Sequence, residues 1–286
     1  MSVKKYLAKL EDLSNKQVLV TGGTSGIGLS LVKELLDKQA QVVVLARNMN
    51  KANEVKDSCL KIHPDNPIDI IKYDQSNDQS VKAAAKEIVD KYPNFYAIIL
   101  NAGVFQTKKS MTRTDDIYTT IKTNFVGLSL FLENLIPSLK GEHRFILQGS
   151  LAAKLHEKKI DSLKVNHLSS WQQYCISKSG VEALFYHYSQ NNSKNSFYLV
   201  EPGITSTEII RDFPTVIRVL GKGFLKVFSH SNERAALTAM MALQSTTEKN
   251  SFIVPRGPLS CAGLPKIKKF PKRRQRAYLI DLVSQI

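Results

Sequence analysis

The sequence predicts an α/β fold, in which a doubly wound parallel sheet of about seven strands carries helices on both faces. Two observations lead there. Short, nearly continuous apolar runs alternate with helical apolar patterns along the chain, and no linker, repeat or low-complexity segment interrupts them. Strands that are apolar at every position are buried on both faces, as parallel strands joined by helical crossovers are. With 43% hydrophobic residues the chain can fill such a core, which excludes a mainly disordered state. Residues 1–286 therefore read as a single domain.

The first strand spans 17–21 (Val18, Leu19, Val20) and leads into a helix over 26–37. A strand over 41–46 and a helix over 50–60 follow. Strands over 67–73 and 95–100 flank a helix over 80–91. A long helix is expected over 114–139, then a strand over 144–148 and a helix from 174 to 189. A strand over 197–200, an irregular stretch, a helix over 232–243 and a strand over 251–254 complete the pattern. Two terminal pieces stand outside it. In the amphipathic segment 1–16, Val3, Leu7 and Leu10 recur at helical spacing between lysines. In the basic extension 262–286, seven Lys and Arg between 266 and 276 precede the apolar stripe Leu279, Leu282, Val283 and Ile286.

Forty Lys and Arg against 25 Asp and Glu leave a net charge of +15. Such a surplus suits nucleic acid, an anionic membrane surface or an anionic small molecule. No helix-turn-helix, zinc-finger or aromatic-interleaved RNA pattern accompanies it, so no nucleic-acid partner is expected. Cys59, Cys175 and Cys261 lie far apart and form no metal-type pair, which points to a reduced compartment. His156 and His167 lack partner ligands at metal spacing and read as surface or lid residues, so no metal is expected. No apolar stretch of signal-peptide length follows the N-terminus, and no run reaches the ~20 apolar residues of a membrane span. A soluble, cytoplasmic protein is the expectation.

The strand-to-helix junction carries Thr21-Gly22-Gly23-Thr24-Ser25-Gly26-Ile27-Gly28. Gly22 can take a tight turn, Gly26 lets backbone approach a pyrophosphate, and Gly28 lets helix pack close to strand. The N–H groups of this loop, through Thr24, Ser25 and Ile27, then face the anion at a helix N-terminus. Such a loop alone is equally a tight turn. Opening a βαβ unit, it is a Rossmann-type dinucleotide site. At the end of the second strand, Ala46-Arg47-Asn48 offers no carboxylate for a ribose 2′-hydroxyl, whereas Arg47 can fork onto a 2′-phosphate. The expected cofactor is NADP(H) over NAD(H), the other reading of Arg47 being a solvated charge at a strand end.

Five further landmarks follow in order. They are Asn101-Ala102-Gly103 after the fourth strand, Asn124 within Thr123-Asn124-Phe125-Val126-Gly127, and Ser150 at the end of the fifth strand. Tyr174-Cys175-Ile176-Ser177-Lys178 and Pro202-Gly203-Ile204-Thr205-Ser206-Thr207 complete the set. With the glycine loop, they resemble the short-chain dehydrogenase/reductase family over nearly the whole chain. The resemblance implies catalysis by Asn124, Ser150, Tyr174 and Lys178. It also implies that Lys178 holds the nicotinamide ribose, that Asn124 ties Lys178 to a proton path, and that Pro202, Gly203, Ile204 and Thr207 hold the carboxamide. Asp74 would lie near the adenine, with a turn aspartate as the alternative. Tyr174 and Lys178 stand four apart on one helix face, so the ammonium can draw the phenol pKa down towards working pH. Ser150 can hydrogen-bond the substrate oxygen. Each residue alone also has a mundane reading: core tyrosine, solvated lysine, mid-helix asparagine, strand-end turn.

The interval from Ser150 to Tyr174 is long and includes His156, Lys158, Lys159, Ile160, Asp161, Leu163, His167 and Trp171. It resembles the retinol-dehydrogenase and protochlorophyllide-reductase-like branch, although Ser179-Gly180-Val181 follows Lys178 and Gln148-Gly149 precedes the serine where that branch differs. Branch enzymes act on apolar carbonyls and alcohols, which is the expected substrate class. Trp171 reads as packing and Cys175 as a buried small hydrophobe. The apolar stretch 206–230 reads as a substrate lid, an oligomer contact or ordinary core. A homo-oligomer is expected from the family. The alternative function is a non-catalytic dinucleotide-binding sensor on the same fold. The basic extension reads either as a helix docked on the domain behind a solvated, removable basic run, or as a peripheral membrane contact.

Overall fold

Along β1 (Gln17–Thr21), Leu19 enters one hydrophobic core while Val18 and Val20 enter another. On β2 (Gln41–Ala46), Val43 and Leu45 are divided in the same way from Val42 and Val44. Successive side chains of a strand point to opposite faces, so a strand apolar throughout needs cover on both. The computed structural model describes residues 2–92, 94–156, 159–205 and 229–286, and it shows that cover.

The helices preceding the fourth strand are α1 (Val3–Leu7), α2 (Gly26–Asp37), α3 (Met49–Leu60) and α4 (Asp78–Lys91). After them come α5 (Thr119–Ile121), α6 (Gly127–Leu135), α7 (Ser170–Asn191), α8 (Asn232–Ala242) and α9 (Tyr278–Val283). One core joins the sheet to α4, α6, α7 and α9 through Val81, Phe131, Leu184 and Leu279. The other joins it to α1, α2, α3 and α8 through Leu7, Leu31, Ala52 and Met240. Between them lie β3 (Ile68–Lys72), β4 (Ala97–Leu100), β7 (Arg144–Gln148), β8 (Ser196–Val200), β11 (Phe252–Pro255) and β12 (Pro265–Lys268). The order across the sheet is β12-β11-β8-β7-β4-β1-β2-β3. Every pairing is parallel except β11 with β12.

The sheet thus has seven parallel strands as expected, plus an antiparallel eighth from the basic extension. The long helix expected over 114–139 is a different structure. Asp115 and Asp116 take positive φ values of 52° and 62° and turn a short hairpin between β5 (Arg113–Thr114) and β6 (Ile117–Tyr118). Aspartate tolerates that left-handed region. Helix begins only at Thr119, widens into a π turn at Lys122–Val126, and closes with a 3₁₀ turn at Ile136–Ser138. β9 (Ile204–Thr205) and β10 (Ser229–His230) form a separate parallel pair.

The basic run is solvated only in part: Lys268, Lys269, Lys272 and Arg273 are exposed. Lys266 and Lys268 lie on β12, and Arg274 is only 2% exposed. The stripe behind it docks as expected: Leu279 is fully buried, Leu282 and Val283 pack against the same core, and only Ile286 stays 50% exposed. His156 is also buried, where a surface or lid residue was expected.

Candidate active site

β1 lies between β2 and β4, so the chain leaves the sheet centre in both directions from this point. Ligands of open α/β sheets bind beyond the strand ends at such a switch. The glycine loop and Asn101-Ala102-Gly103 meet there. Asn101 Nδ2 donates to the Thr21 carbonyl at 3.1 Å, and the Ala102 N–H donates to Thr21 Oγ1 at 2.9 Å. Gly22, with φ +70°, leaves room only for hydrogen: a Cβ would lie 3.0 Å from Ala102 Cα. A Cβ on Gly28 would overlap the Gly22 carbonyl oxygen. Gly26 differs, because its φ of +52° faces open space. Ser25 begins α2 without capping it through its side chain, so the first N–H groups of the helix are left to face that space. Thr24 and Ile27 complete the turn. These features fit a dinucleotide's phosphates.

The four expected catalytic residues converge beside this loop. Asn124 sits in the π turn, where its Oδ1 accepts from the Val104 N–H at 2.7 Å and its Nδ2 donates to the Val104 carbonyl and to Ser177 Oγ. Asn124 thereby ties the loop after β4 to α7. A Cβ on Gly103 would stand 3.3 Å from Asn124 Oδ1 and 3.4 Å from Lys178 Nζ, so glycine lets the loop after β4 pack closely over both groups. Lys178 Nζ donates to the Gln148 carbonyl at 2.9 Å and lies 5.9 Å from the Tyr174 ring centre. Ser150 caps the 3₁₀ turn Leu151–Leu155, its Oγ accepting from the Ala152 N–H at 3.2 Å.

Burial dominates the electrostatics. It pushes the Tyr174 phenol up to about 12, against a hydrogen bond with Ser150 that pulls it down. It pushes the Lys178 ammonium down to about 8. The protein's own groups therefore keep Tyr174 protonated, where sequence reasoning expected Lys178 to draw its pKa down. The Gln148 amide is buried with no hydrogen-bond partner among the described residues, another polar group left over for a ligand.

Other expected residues lie around this centre. Arg47 is exposed at the end of β2, and Lys72 Nζ reaches its carbonyl at 2.6 Å. Asp74 bonds the N–H and hydroxyl of Ser76, which makes it a turn residue beyond β3. Pro202, Gly203 (φ +79°) and Ile204 continue from β8, with the Ile204 N–H held by the Cys261 carbonyl. Thr207 and all but the last two residues of the stretch 206–230 expected as a lid lie outside the described residues, as does Lys158.

Sequence reasoning missed several contributors. Phe105 meets the Tyr174 ring edge-on at 5.4 Å; Trp171, expected as packing, does pack there, 6.1 Å from the Tyr174 ring on the same helix. Gln75 Nε2 donates to the Thr123 carbonyl freed by the π turn, and only a glycine at 127 lets the Gln75 backbone approach. A Cβ on Gly180 would overlap the Phe125 ring, so glycine there lets α7 close onto the Asn124 turn. No motif marks Phe105 or Gln75. Gly180 was visible only as a departure after Lys178.

The sequence matches the family described as short chain dehydrogenase over residues 16–215. It is 26% identical over 230 residues to the 3-keto-steroid reductase/17-beta-hydroxysteroid dehydrogenase 7 of Rattus norvegicus, covering 68% of each chain. It is 29% identical over 205 residues to human retinol dehydrogenase 11, covering 70% of this chain and 64% of that one. A crystal structure of a short chain dehydrogenase from Burkholderia cenocepacia, in complex with NADP, superposes with a TM-score of 0.67. The two are 18% identical, and the match covers 85% of this chain and 96% of that one.

Proposed function

Because the chain belongs to the short-chain dehydrogenase family of oxidoreductases, we propose that it moves a hydride between a nicotinamide dinucleotide, NADP(H) in preference to NAD(H), and an apolar carbonyl or alcohol. The observation that carries this reading is the buried Tyr174, hydrogen-bonded by Ser150, with Lys178 Nζ 5.9 Å from its ring and, like Asn124, close beside Gly103. The bound dinucleotide would supply or accept the hydride. Burial keeps a proton on Tyr174 Oη at working pH, available to the alkoxide left when a carbonyl is reduced. The Ser150 hydroxyl orients the substrate oxygen towards that proton. Lys178, charged below about pH 8, stabilises the phenolate that remains. Asn124 braces the loop beneath Gly103.

Phe105 and Trp171 beside Tyr174 favour an apolar substrate. Two relatives are named for a keto-steroid and for retinol, both apolar. Arg47 and Lys72, two cations at the end of β2 and β3, favour a 2′-phosphate, and the Burkholderia structure holds NADP. A sensor would have no use for a placed proton donor, which favours catalysis. The test is NADPH titration followed by turnover on a panel of aldehydes and ketones. Tyr174→Phe should remove turnover and leave the NADPH Kd nearly unchanged. A fully active variant would overturn the mechanism, and NADPH binding by the wild type without turnover of any substrate would favour the sensor.

A further inference from the structure

The basic extension builds a second polar cavity, on the flank of the domain. It is a cleft of about 370 Å³ whose walls are Lys154, His156, Lys159, Arg273, Arg276 and Tyr278, with Arg274 at its base. Among the described residues, no carboxylate lines it. The acidic groups behind it are already engaged. Arg274 donates through Nε to Glu182 Oε2 at 2.9 Å, with a second contact from Nη2 to Glu182 Oε1, and through Nη2 to Glu201 Oε1 at 2.6 Å. Glu201 also faces Lys154 at 3.5 Å, and Arg276 reaches Glu182 at 3.4 Å. Among the described residues, Lys154, Arg274 and Arg276 pair with Glu182 and Glu201, and Lys159 and Arg273 add two further positive charges to the cleft.

Part of that charge is withdrawn from water. Arg276 is held in place by the carbonyls of Ala153 and His156, at 3.1 Å and 2.6 Å from its Nη2. Burial, followed by the neighbouring Arg274 and Lys268, pushes the Lys154 ammonium down, despite the opposing pull of Glu201. Lys159 lies 5.4 Å over the Tyr278 ring. Cations gathered at partial burial repel one another, and an anion of high charge density relieves both costs. Guanidinium forks and a phenol on the rim suit the several oxygens of a phosphoryl group better than the two of a carboxylate.

We propose that this cleft is a binding site for a phosphoryl group, formed by Lys154, Lys159, Arg273 and Arg276 and distinct from the dinucleotide loop. The group comes from a soluble phosphate compound or a lipid headgroup. The docked apolar face of α9 argues for the soluble source, because it leaves little to enter a bilayer.

The experiment is calorimetric titration of the full chain with inorganic phosphate and with pyrophosphate, at ionic strength matched by chloride. Saturable binding at one site should persist in Arg47→Ala, which alters only the dinucleotide end. It should weaken about tenfold or more in Lys159→Gln/Arg273→Gln. Both of those residues are exposed and outside the Arg274 network, so the fold should be kept. Loss of binding in Arg47→Ala, equal affinity in the double variant, or no binding beyond chloride would each overturn the proposal. Given phosphate binding, pelleting with phosphatidic acid vesicles that the double variant loses assigns the group to lipid. Failure to pellet assigns it to a soluble compound.

Discussion

Arg274 of the C-terminal extension and Glu182 of α7 form a forked ion pair in which both side chains are buried. Glu182 stands one helical turn beyond Lys178, and the second partner of Arg274, Glu201, immediately precedes Pro202. The extension is therefore pinned to the two segments that carry Lys178 and Pro202-Gly203. Removing one member of a buried pair leaves the other charge uncompensated, at a cost of about 3–5 kcal/mol. Arg274→Met should lose that much stability by urea unfolding. Glu182→Gln/Arg274→Met should lose less than the sum of the single changes. An Arg274→Met protein within about 1 kcal/mol of wild type would show that the pair is idle.

How much of this was legible in the sequence depends on which interactions leave a local signature. The glycine loop, Asn101, Tyr174 and Lys178 are set by spacing along single elements, and the structure brings them together as expected. The strands were legible because Val18–Val20 of β1 and every position of β2 after Gln41 are apolar. Arg274 was not legible, because a basic run looks solvated until carboxylates 73 and 92 residues away are placed beside it. The hairpin at Asp115 and Asp116 was hidden because apolar spacing there suits a helix, and only the backbone φ shows the turn.

Lys178 is held at a cost to the fold. Its ammonium has a pKa of about 8 against 10.5 in water, so the folded state binds this proton less tightly than the unfolded chain does. Stability should therefore rise with pH between about 8 and 10.5, as the unfolded chain gives up its proton too. At neutral pH the penalty amounts to about 3 kcal/mol, less what the Gln148 carbonyl loses without its donor. Lys178→Met should be inactive yet more stable than wild type by roughly 1–3 kcal/mol near neutral pH, with the gap closing towards about pH 10.5. Urea unfolding at both pH values checks this, and a less stable variant at neutral pH would contradict it. For the same reason, kcat/KM for carbonyl reduction should fall as pH rises through about 8.

Gly180 is where α7 meets the Asn124 turn. Because a Cβ there would overlap the Phe125 ring, Gly180→Ala must push the π turn away from α7. Overpacking of this kind costs roughly 1–3 kcal/mol. The neighbouring Asn124 would move with Phe125 and slacken its hold on Val104 and Ser177. The expected result is a lower Tm and a kcat reduced about tenfold or more, since small misplacements near reacting groups are costly. A variant with wild-type Tm and kcat would mean that the contact is soft.

On the proposed function, cofactor choice turns on the last residues of β2. Ala46 is buried at the strand end and Arg47 is exposed just beyond it, with Lys72 Nζ on the Arg47 carbonyl. A 2′-phosphate here would meet the Arg47 guanidinium and the Lys72 ammonium. A ribose hydroxyl would find no carboxylate among Ala46, Arg47 and Asn48. Asn48 is committed to capping α3, its Oδ1 accepting from the Lys51 N–H at 3.0 Å, so it cannot also stand in for that carboxylate without releasing the helix. Ala46→Asp with Arg47→Ala replaces a phosphate-binding cation with a hydroxyl-binding anion. It should lower the NADPH/NADH affinity ratio by about a hundredfold, two charge-assisted interactions changing sign together. Lys72→Gln alone should lower the ratio less, because Lys72 contributes a single point charge. Fluorescence titrations with the two reduced dinucleotides measure both ratios, and an unaltered ratio in the double variant would place the 2′-phosphate elsewhere.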